Sequence, residues 1–282
     1  MTSITHLNAP TQFVETKGIR FAYRRFGKTG GVPLLFNMHF IGTMDHWDPA
    51  VIDAIARNRE VILFDNAGVS SSTGTVPSTF KEMAANAIAF IGALGLKQVD
   101  VLGFSIGGMV AQEIALQSAD LVRKLILVGT GPRGGEGMAT LTPEAQAALG
   151  GTYENPDDIW LKIKFTPSIA SQDAGKAYLK RFRARVQGRD PEADEAASAA
   201  QMAAMGEWGE QREGSYDYLA KITQPALVVT GTKDIIIYTV NSYILAQHLP
   251  NAQLILYPDA NHGSIYQYPE LFAAHVNLFL DA

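Results

Sequence analysis

Gly103-Phe104-Ser105-Ile106-Gly107 sets a serine between two glycines at the spacing of a sharp strand-to-helix turn. Such a turn exposes the Ser105 hydroxyl at the carboxyl end of a sheet, while the Ile106 amide, at the helix start, points toward the same space. Nucleophile and oxyanion donor are then neighbours. A serine hydroxyl is a weak nucleophile until a base takes its proton, so this chemistry requires a histidine and an acid in compatible places. His262, in Pro258-Asp259-Ala260-Asn261-His262-Gly263, follows the last apolar strand pattern and puts an imidazole over the sheet edge. The other histidines have weaker claims: His6 lies in the N-terminal segment, His39 and His46 in an early loop, and His248 and His275 on helical patterns.

The elements that must position these residues alternate. Short β-rich runs at Gln12-Thr16, Ile19-Phe26, Pro33-Met38, Glu60-Phe64, Val99-Gly103 and Leu125-Gly129 are separated by longer helical patterns, the signature of crossover units in a mostly parallel sheet. Asp48-Pro49 reads as a helix N-cap followed by proline at the first helical position. A second helix covers Phe80 to Leu94, and a third runs from Gly107 to Gln117 directly after the serine turn. From Pro132 to Ile222 the β-branched runs stop and alanine, glutamate and methionine become frequent, with helix starts near Thr142, Pro156, Ser168 and Pro191. Strands return at Ala226-Thr230 and Gln253-Tyr257, with helices at Thr239-Leu249 and Pro269-Leu280. The expectation is an α/β fold with a mostly parallel eight-stranded sheet, helices on both faces and an inserted helical lid. Residues 1-131 and 223-282 form the core, and 132-222 the cap.

Composition narrows the chemistry. The 282 residues contain no cysteine, which excludes disulfides, thiolate metal sites and a cysteine nucleophile. A net charge of -5 gives no overall basic footprint for nucleic acid, and the run Lys180-Arg181-Phe182-Arg183-Ala184-Arg185 reads as the solvated face of a helix with Phe182 turned inward. No apolar run reaches membrane-spanning length and the first ten residues lack a signal pattern, so a cytoplasmic protein acting on a small molecule is the default reading.

Gly-Phe-Ser-Ile-Gly-Gly at 103-108 and Asp-Asn-Ala-Gly-Val-Ser at 65-70 resemble the α/β-hydrolase fold family, within it the lid-bearing esterase and haloperoxidase-like group. The resemblance runs from Phe13 to Phe279. It implies a triad in the order Ser105, Asp234, His262, with Asp234 in Gly231-Thr232-Lys233-Asp234 matching the family's Gly-x-x-Asp turn. Asp259 and Glu136 are rival acids. The resemblance also implies a second oxyanion donor after the third strand, where the family carries His-Gly-x; Met38-His39-Phe40 stands there, making the Phe40 N-H the donor. Three departures are visible: Ala67 for a frequent arginine, Tyr238 for a frequent proline, and no glycine in the Met38-His39-Phe40 loop, so that His39 must take a backbone shape glycine adopts more readily.

The insert carries Trp160, Phe165, Tyr178, Phe182, Met202, Met205 and Trp208, residues suited to packing over the sheet edge. His39, Trp160, Met205 and Trp208 are the candidate pocket residues. The expected reaction is cleavage of a carboxylic ester, lactone or thioester with an apolar body through an acyl-enzyme, with no metal or organic cofactor. A perhydrolase or haloperoxidase, or a carbon-carbon bond hydrolase, would use the same triad. A small-ligand receptor on a hydrolase scaffold is the alternative of another class.

Overall fold

In a computed structural model describing residues 4–282, strands form at β1 (Gln12–Thr16), β2 (Ile19–Gly27), β3 (Leu34–Asn37), β4 (Glu60–Phe64), β5 (Val99–Phe104), β6 (Val122–Val128), β7 (Ala226–Gly231) and β8 (Ala252–Tyr257). They make one sheet in the order β1-β2-β4-β3-β5-β6-β7-β8. The β1-β2 and β2-β4 pairs are antiparallel, and every other pair is parallel. The helices α1 (Pro49–Ala56), α2 (Phe80–Ala93) and α3 (Ile106–Gln117) lie between core strands. The 132-222 segment contains α4 (Pro143–Leu149), α5 (Asp158–Lys164), α6 (Ile169–Phe182) and α7 (Glu195–Gly209). After β7 come α8 (Val240–His248), the short α9 (Ser264–Gln267) and α10 (Pro269–Asp281).

Strands β3, β5 and β7 are buried along their whole length, which explains why they read as continuous apolar runs rather than alternating ones. Successive side chains still take opposite faces. Leu34, Phe36, Leu102 and Phe104 join Val51 and Ile55 of α1 and Phe272 and Val276 of α10. Leu35 and Val101 join Phe90 of α2, Met109 of α3 and Leu245 of α8. Two helical layers therefore clamp the sheet, leaving its carboxyl edge to be covered by something else. Among the described residues no helix is long and apolar enough to cross a membrane.

Helix starts follow local chemistry. Asp48, Thr79, Thr142 and Ser168 each accept a backbone N-H from the first turn of the helix that follows. The start expected near Pro191 moves to Glu195, capped by Asp194. The reason is tertiary: the Asp190 N-H donates to Asp45 Oδ2 at 2.6 Å, tying the chain to the core just before Pro191, and the turn is made only beyond it. The basic run at 180-185 is not a uniformly solvated face. Phe182 is buried, but Arg181 forks onto the buried carboxylate of Asp48 at 2.7 and 2.8 Å, and Arg185 donates to the carbonyls of His6 and Ala9.

Residues 185–190 are fastened to β2 and to the loop after β3 by a buried charge cluster. Arg24 of β2, fully buried, reaches Asp45 at 2.5 Å and Asp190 at 2.8 Å, with Arg185 3.5 Å from Asp45. Burial pushes the Asp190 carboxyl up to about 7. Arg24→Leu would leave two buried carboxylates with only the more distant guanidinium, and removing one partner of such a cluster costs about 3–5 kcal/mol. Urea unfolding followed by circular dichroism should show a midpoint lowered accordingly; an unchanged midpoint would assign the cluster no stabilising role.

Candidate active site

Ser105 sits at φ +58, ψ -123 between β5 and α3, a left-handed conformation that costs a non-glycine residue of order 1–3 kcal/mol and must be imposed by its surroundings. Its N-H donates to Val128 of β6 and its carbonyl accepts from Gly108, both at 2.9 Å. The neighbouring glycines are there because backbones approach too closely for a side chain. A Cβ on Gly103 would lie 2.1 Å from the Gly107 carbonyl oxygen, and one on Gly107 would lie 2.1 Å from that of Asn37. The second contact also shows that the loop after β3 presses on the first turn of α3.

His262 and Asp234 meet across two loops. The imidazole Nδ1-H donates to Asp234 Oδ2 at 2.9 Å, with both side chains buried. The other oxygen, Oδ1, accepts from the N-H groups of Ile236 and Ile237 at 2.9 and 3.0 Å, so the carboxylate closes its own turn. A proline at Tyr238 is not needed for that closure. Asn261 locks the two loops together: its Oδ1 accepts from the Ile235 and His262 N-H groups at 2.9 and 2.8 Å. A Cβ on Gly231 would lie 2.1 Å from the Ala260 carbonyl oxygen, another forced close approach.

The ring of His262 lies beside Phe104, the residue preceding Ser105, with centroids 4.9 Å apart, and it stands over Gly129, where a Cβ would come within 3.3 Å of Nδ1. In this conformation Ser105 Oγ and His262 Nε2 are not hydrogen-bonded. The rival acids are engaged elsewhere or exposed. Asp259 accepts from the Thr166 and Ser168 hydroxyls at 2.7 and 2.5 Å, which hold its carboxyl below the usual range, and Glu136 is exposed.

Neither the Phe40 nor the Ile106 amide has an acceptor among the described residues. The strain expected at His39 falls instead on Ile41, which takes φ +47. His39 keeps ordinary backbone and uses its ring, whose Nδ1-H donates to the Phe40 carbonyl at 2.9 Å.

The profile of the alpha/beta hydrolase fold family matches residues 32–269. This chain belongs to the α/β-hydrolase family. A poly(3-hydroxyalkanoate) depolymerase of Ectopseudomonas oleovorans is 32% identical over 257 residues, covering 88% of this chain and 84% of that protein. A 2-hydroxy-6-oxononadienedioate/2-hydroxy-6-oxononatrienedioate hydrolase of Dechloromonas aromatica is 27% identical over 231 residues, 80% of this chain and 78% of that one. Among solved structures, an alpha/beta hydrolase fold protein from Chitinophaga pinensis superimposes with a TM-score of 0.93 at 41% identity, covering 99% of this chain and all of that one.

In this α/β-hydrolase Ser105 opens on a narrow cleft of about 80 Å³ walled by Met109, Met138, Leu141, Met202, Met205 and Ile237. Met205 is on this wall. Trp208 is not, which corrects its assignment to the pocket. One turn further along α7, its ring meets Phe80 edge-on under the Arg133 guanidinium, and its indole N-H donates to the Gly131 carbonyl. Among the described residues no group of three or more His, Cys, Asp or Glu side chains is arranged to hold a metal ion.

His39 and Trp160 do not line that cleft. They join His46, Phe182 and Tyr178 in an aromatic cluster around Lys164, the last residue of α5. Lys164 Nζ donates to the Tyr178 hydroxyl at 2.9 Å and lies 3.3 Å from His39 Nε2. Burial pulls the lysine down to about 7 and His46 to about 3, and burial followed by the nearby Lys164 charge holds His39 well below its ordinary value. The sequence reading passed over Lys164, Gln201 and Asn261. A lysine one turn after Trp160 and flanked in sequence by Ile163 and Phe165 was the available signal for the first, and an amide beside His262 for the last.

The buried lysine has a measurable consequence. Between about 7 and its ordinary 10.5 the unfolded chain holds the Lys164 proton and the folded chain does not, so stability rises with pH across that window. Lys164→Met should remove this rise. Denaturant midpoints measured from pH 6.5 to 10 should climb for wild type relative to the variant, and parallel curves would show that the amine is not depressed.

Proposed function

We propose that this α/β-hydrolase is a serine esterase in which Ser105, His262 and Asp234 form the triad. The observation that carries the reading is the Asp234-His262 pair beside Phe104, at the carboxyl edge of the strand that delivers Ser105. Because Nδ1-H is committed to Asp234, Nε2 carries the lone pair and can take the Ser105 proton after a rotation of the serine side chain. Oγ then attacks the acyl carbon, and the carbonyl electrons move onto oxygen, where the Phe40 and Ile106 N-H groups receive them. A preorganised donor of this kind contributes roughly 10²–10³-fold in turnover.

The His262 imidazolium, stabilised by Asp234, returns the proton to the departing alcohol as the ester C-O bond breaks. Water enters, gives its proton to Nε2 and attacks the acyl-enzyme; collapse of that intermediate releases the acid and restores the serine. Lactones and thioesters follow the same electron path with the ring oxygen or sulfur as leaving atom.

The 132-222 insert acts in this reading as the cap. Its residues Met138, Leu141, Met202 and Met205 face the Ser105 cleft, whose walls carry no cationic side chain. That lining favours an uncharged acyl group over a dicarboxylate, and so an ester over the dioate substrate named for the Dechloromonas relative. The name of the depolymerase relative supports a hydroxyacyl ester bearing an alkyl side chain. At about 80 Å³ the cleft is smaller than the roughly 300 Å³ or more of typical ligand pockets, so the cap or its methionines must shift to admit substrate.

Ser105→Ala should abolish both fluorophosphonate labelling and p-nitrophenyl ester turnover, and Asp234→Asn should lower kcat by roughly 10⁴-fold by favouring the wrong imidazole tautomer. Wild-type rates in the serine variant would refute the mechanism. Met205→Trp should move the preferred acyl chain in a p-nitrophenyl ester series to shorter lengths; an unaltered chain-length profile would place the acyl group elsewhere.

A further inference from the structure

The peptide joining Phe40 to Ile41 is gripped at both of its polar ends. Its carbonyl accepts from His39 Nδ1-H at 2.9 Å, and its N-H donates to Gln201 Oε1 at 2.7 Å. Ile41 meanwhile sits at φ +47, a region that a β-branched residue occupies only under external constraint. Both grips lead back to the insert. Gln201 lies on α7 and is buried. The other runs through the ring: because the Phe40 carbonyl can only accept, Nδ1 bears the proton, and in the neutral imidazole Nε2 is then an acceptor for the Lys164 amine 3.3 Å away.

Lys164 is itself well held. Its Nζ donates to the Tyr178 hydroxyl and lies 4.4 to 5.0 Å from the ring centroids of Trp160, Tyr178 and Tyr266. The amine is thus enclosed by a box of aromatic rings without a carboxylate partner, and it has N-H bonds to offer Tyr178 and His39 with or without its charge. The box draws on α5, α6 and α9, so the amine reaches His39 only when the insert is docked on the core.

We propose that Gln201 and Lys164 are positioning residues of the insert that hold the 39–41 loop in the shape in which the Phe40 N-H faces the developing oxyanion. The role rests on the serine-esterase reading above. Without the two grips Ile41 relaxes toward its preferred φ, the 40–41 peptide turns, and the adjoining Phe40 N-H leaves the space in front of Ser105. The chain lacks glycine in this loop, so the shape is imposed from the insert rather than tolerated by the backbone. Cap closure and completion of the electrophilic site are thereby one event, which ties turnover to a substrate that lets the cap close.

The test compares Gln201→Leu, Gln201→Glu, Lys164→Met and the Gln201→Leu/Lys164→Met double variant with wild type and Ser105→Ala, using p-nitrophenyl butyrate. Gln201→Leu and Lys164→Met should each lower kcat by about 10- to 100-fold with KM held within about threefold, the pattern of an interaction realised in the transition state. Gln201→Glu, which keeps the acceptor, should recover to within about fivefold of wild type. Both grips act on one peptide, so the double variant should be no worse than the poorer single by more than about threefold. The ¹⁵N shifts of His39 should report one Nδ1-H tautomer in wild type and a mixture in Lys164→Met.

Single variants with kcat within about twofold of wild type, multiplicative losses in the double variant, or a glutamate as impaired as the leucine would each overturn the inference. Thermal melts check folding; if Lys164→Met is unfolded, the leucine and glutamate variants at position 201 decide alone. Turnover surviving in Ser105→Ala would instead refute the esterase reading, an outcome separate from all of these.

Discussion

Everything at the carboxyl edge depends on how closely three stretches of backbone approach there. The first turn of α3 lies against the end of β5 and against the loop after β3, with carbonyl oxygens where a Cβ on Gly103 or Gly107 would stand. That contact sets β5 with Ser105 at its end, the helix whose first amide is free and the loop bearing the Phe40 amide in fixed relation. A similar contact, Gly231 on Ala260, joins the acid turn to the histidine loop. The proposed chemistry is thus arranged by the absence of side chains as much as by their presence, and the strain at Ser105 persists because the surrounding sheet and helices leave it no other conformation.

The insert is attached by electrostatics of an unusual kind. Arg24, Asp45, Asp190 and Arg185 form a buried cluster on one side, and Lys164 sits in an aromatic box on the other. Buried charge groups contribute little net stability compared with apolar packing, yet they penalise misplacement heavily because each partner left alone is desolvated without compensation. Such contacts fix the register of the 132-222 segment on the sheet more than they add to its net stability. The apolar contacts of Phe165, Tyr178 and Phe182 with the core supply the non-directional attraction.

Much of this was legible in the chain because the governing physics is local. The elbow glycines, the caps at Asp48, Thr142 and Ser168, and the apolar strands each announce themselves within a few residues. The Asp234-His262 bond was readable only through the resemblance, since it joins positions 28 apart through loop shape. What escaped was long-range. The start of α7 moved because Asp190 is tied to Asp45, 145 residues earlier, and Lys164 and Gln201 gain meaning only from residues 125 and 160 positions away. Trp208 was misplaced because composition identifies a pocket wall's residue types but not which turn of a helix faces it. Position 39 lacks the glycine of the family pattern, yet the positive φ falls on Ile41, because the 40-41 peptide is bound by the His39 ring and by Gln201, 160 positions away.

Asn261 binds the acid turn and the histidine loop into a single body, with Asp234, Ile235, Asn261 and His262 sharing one set of hydrogen bonds. In mechanical terms the proposed triad then has almost no internal freedom except at its nucleophile. The base and acid travel together, the strand-to-helix turn is locked by its glycines, and the remaining coordinate is one torsion of the serine side chain. In the proposed mechanism, alignment for proton transfer therefore asks for no rearrangement of the helices or of the loops that carry the acid and the base.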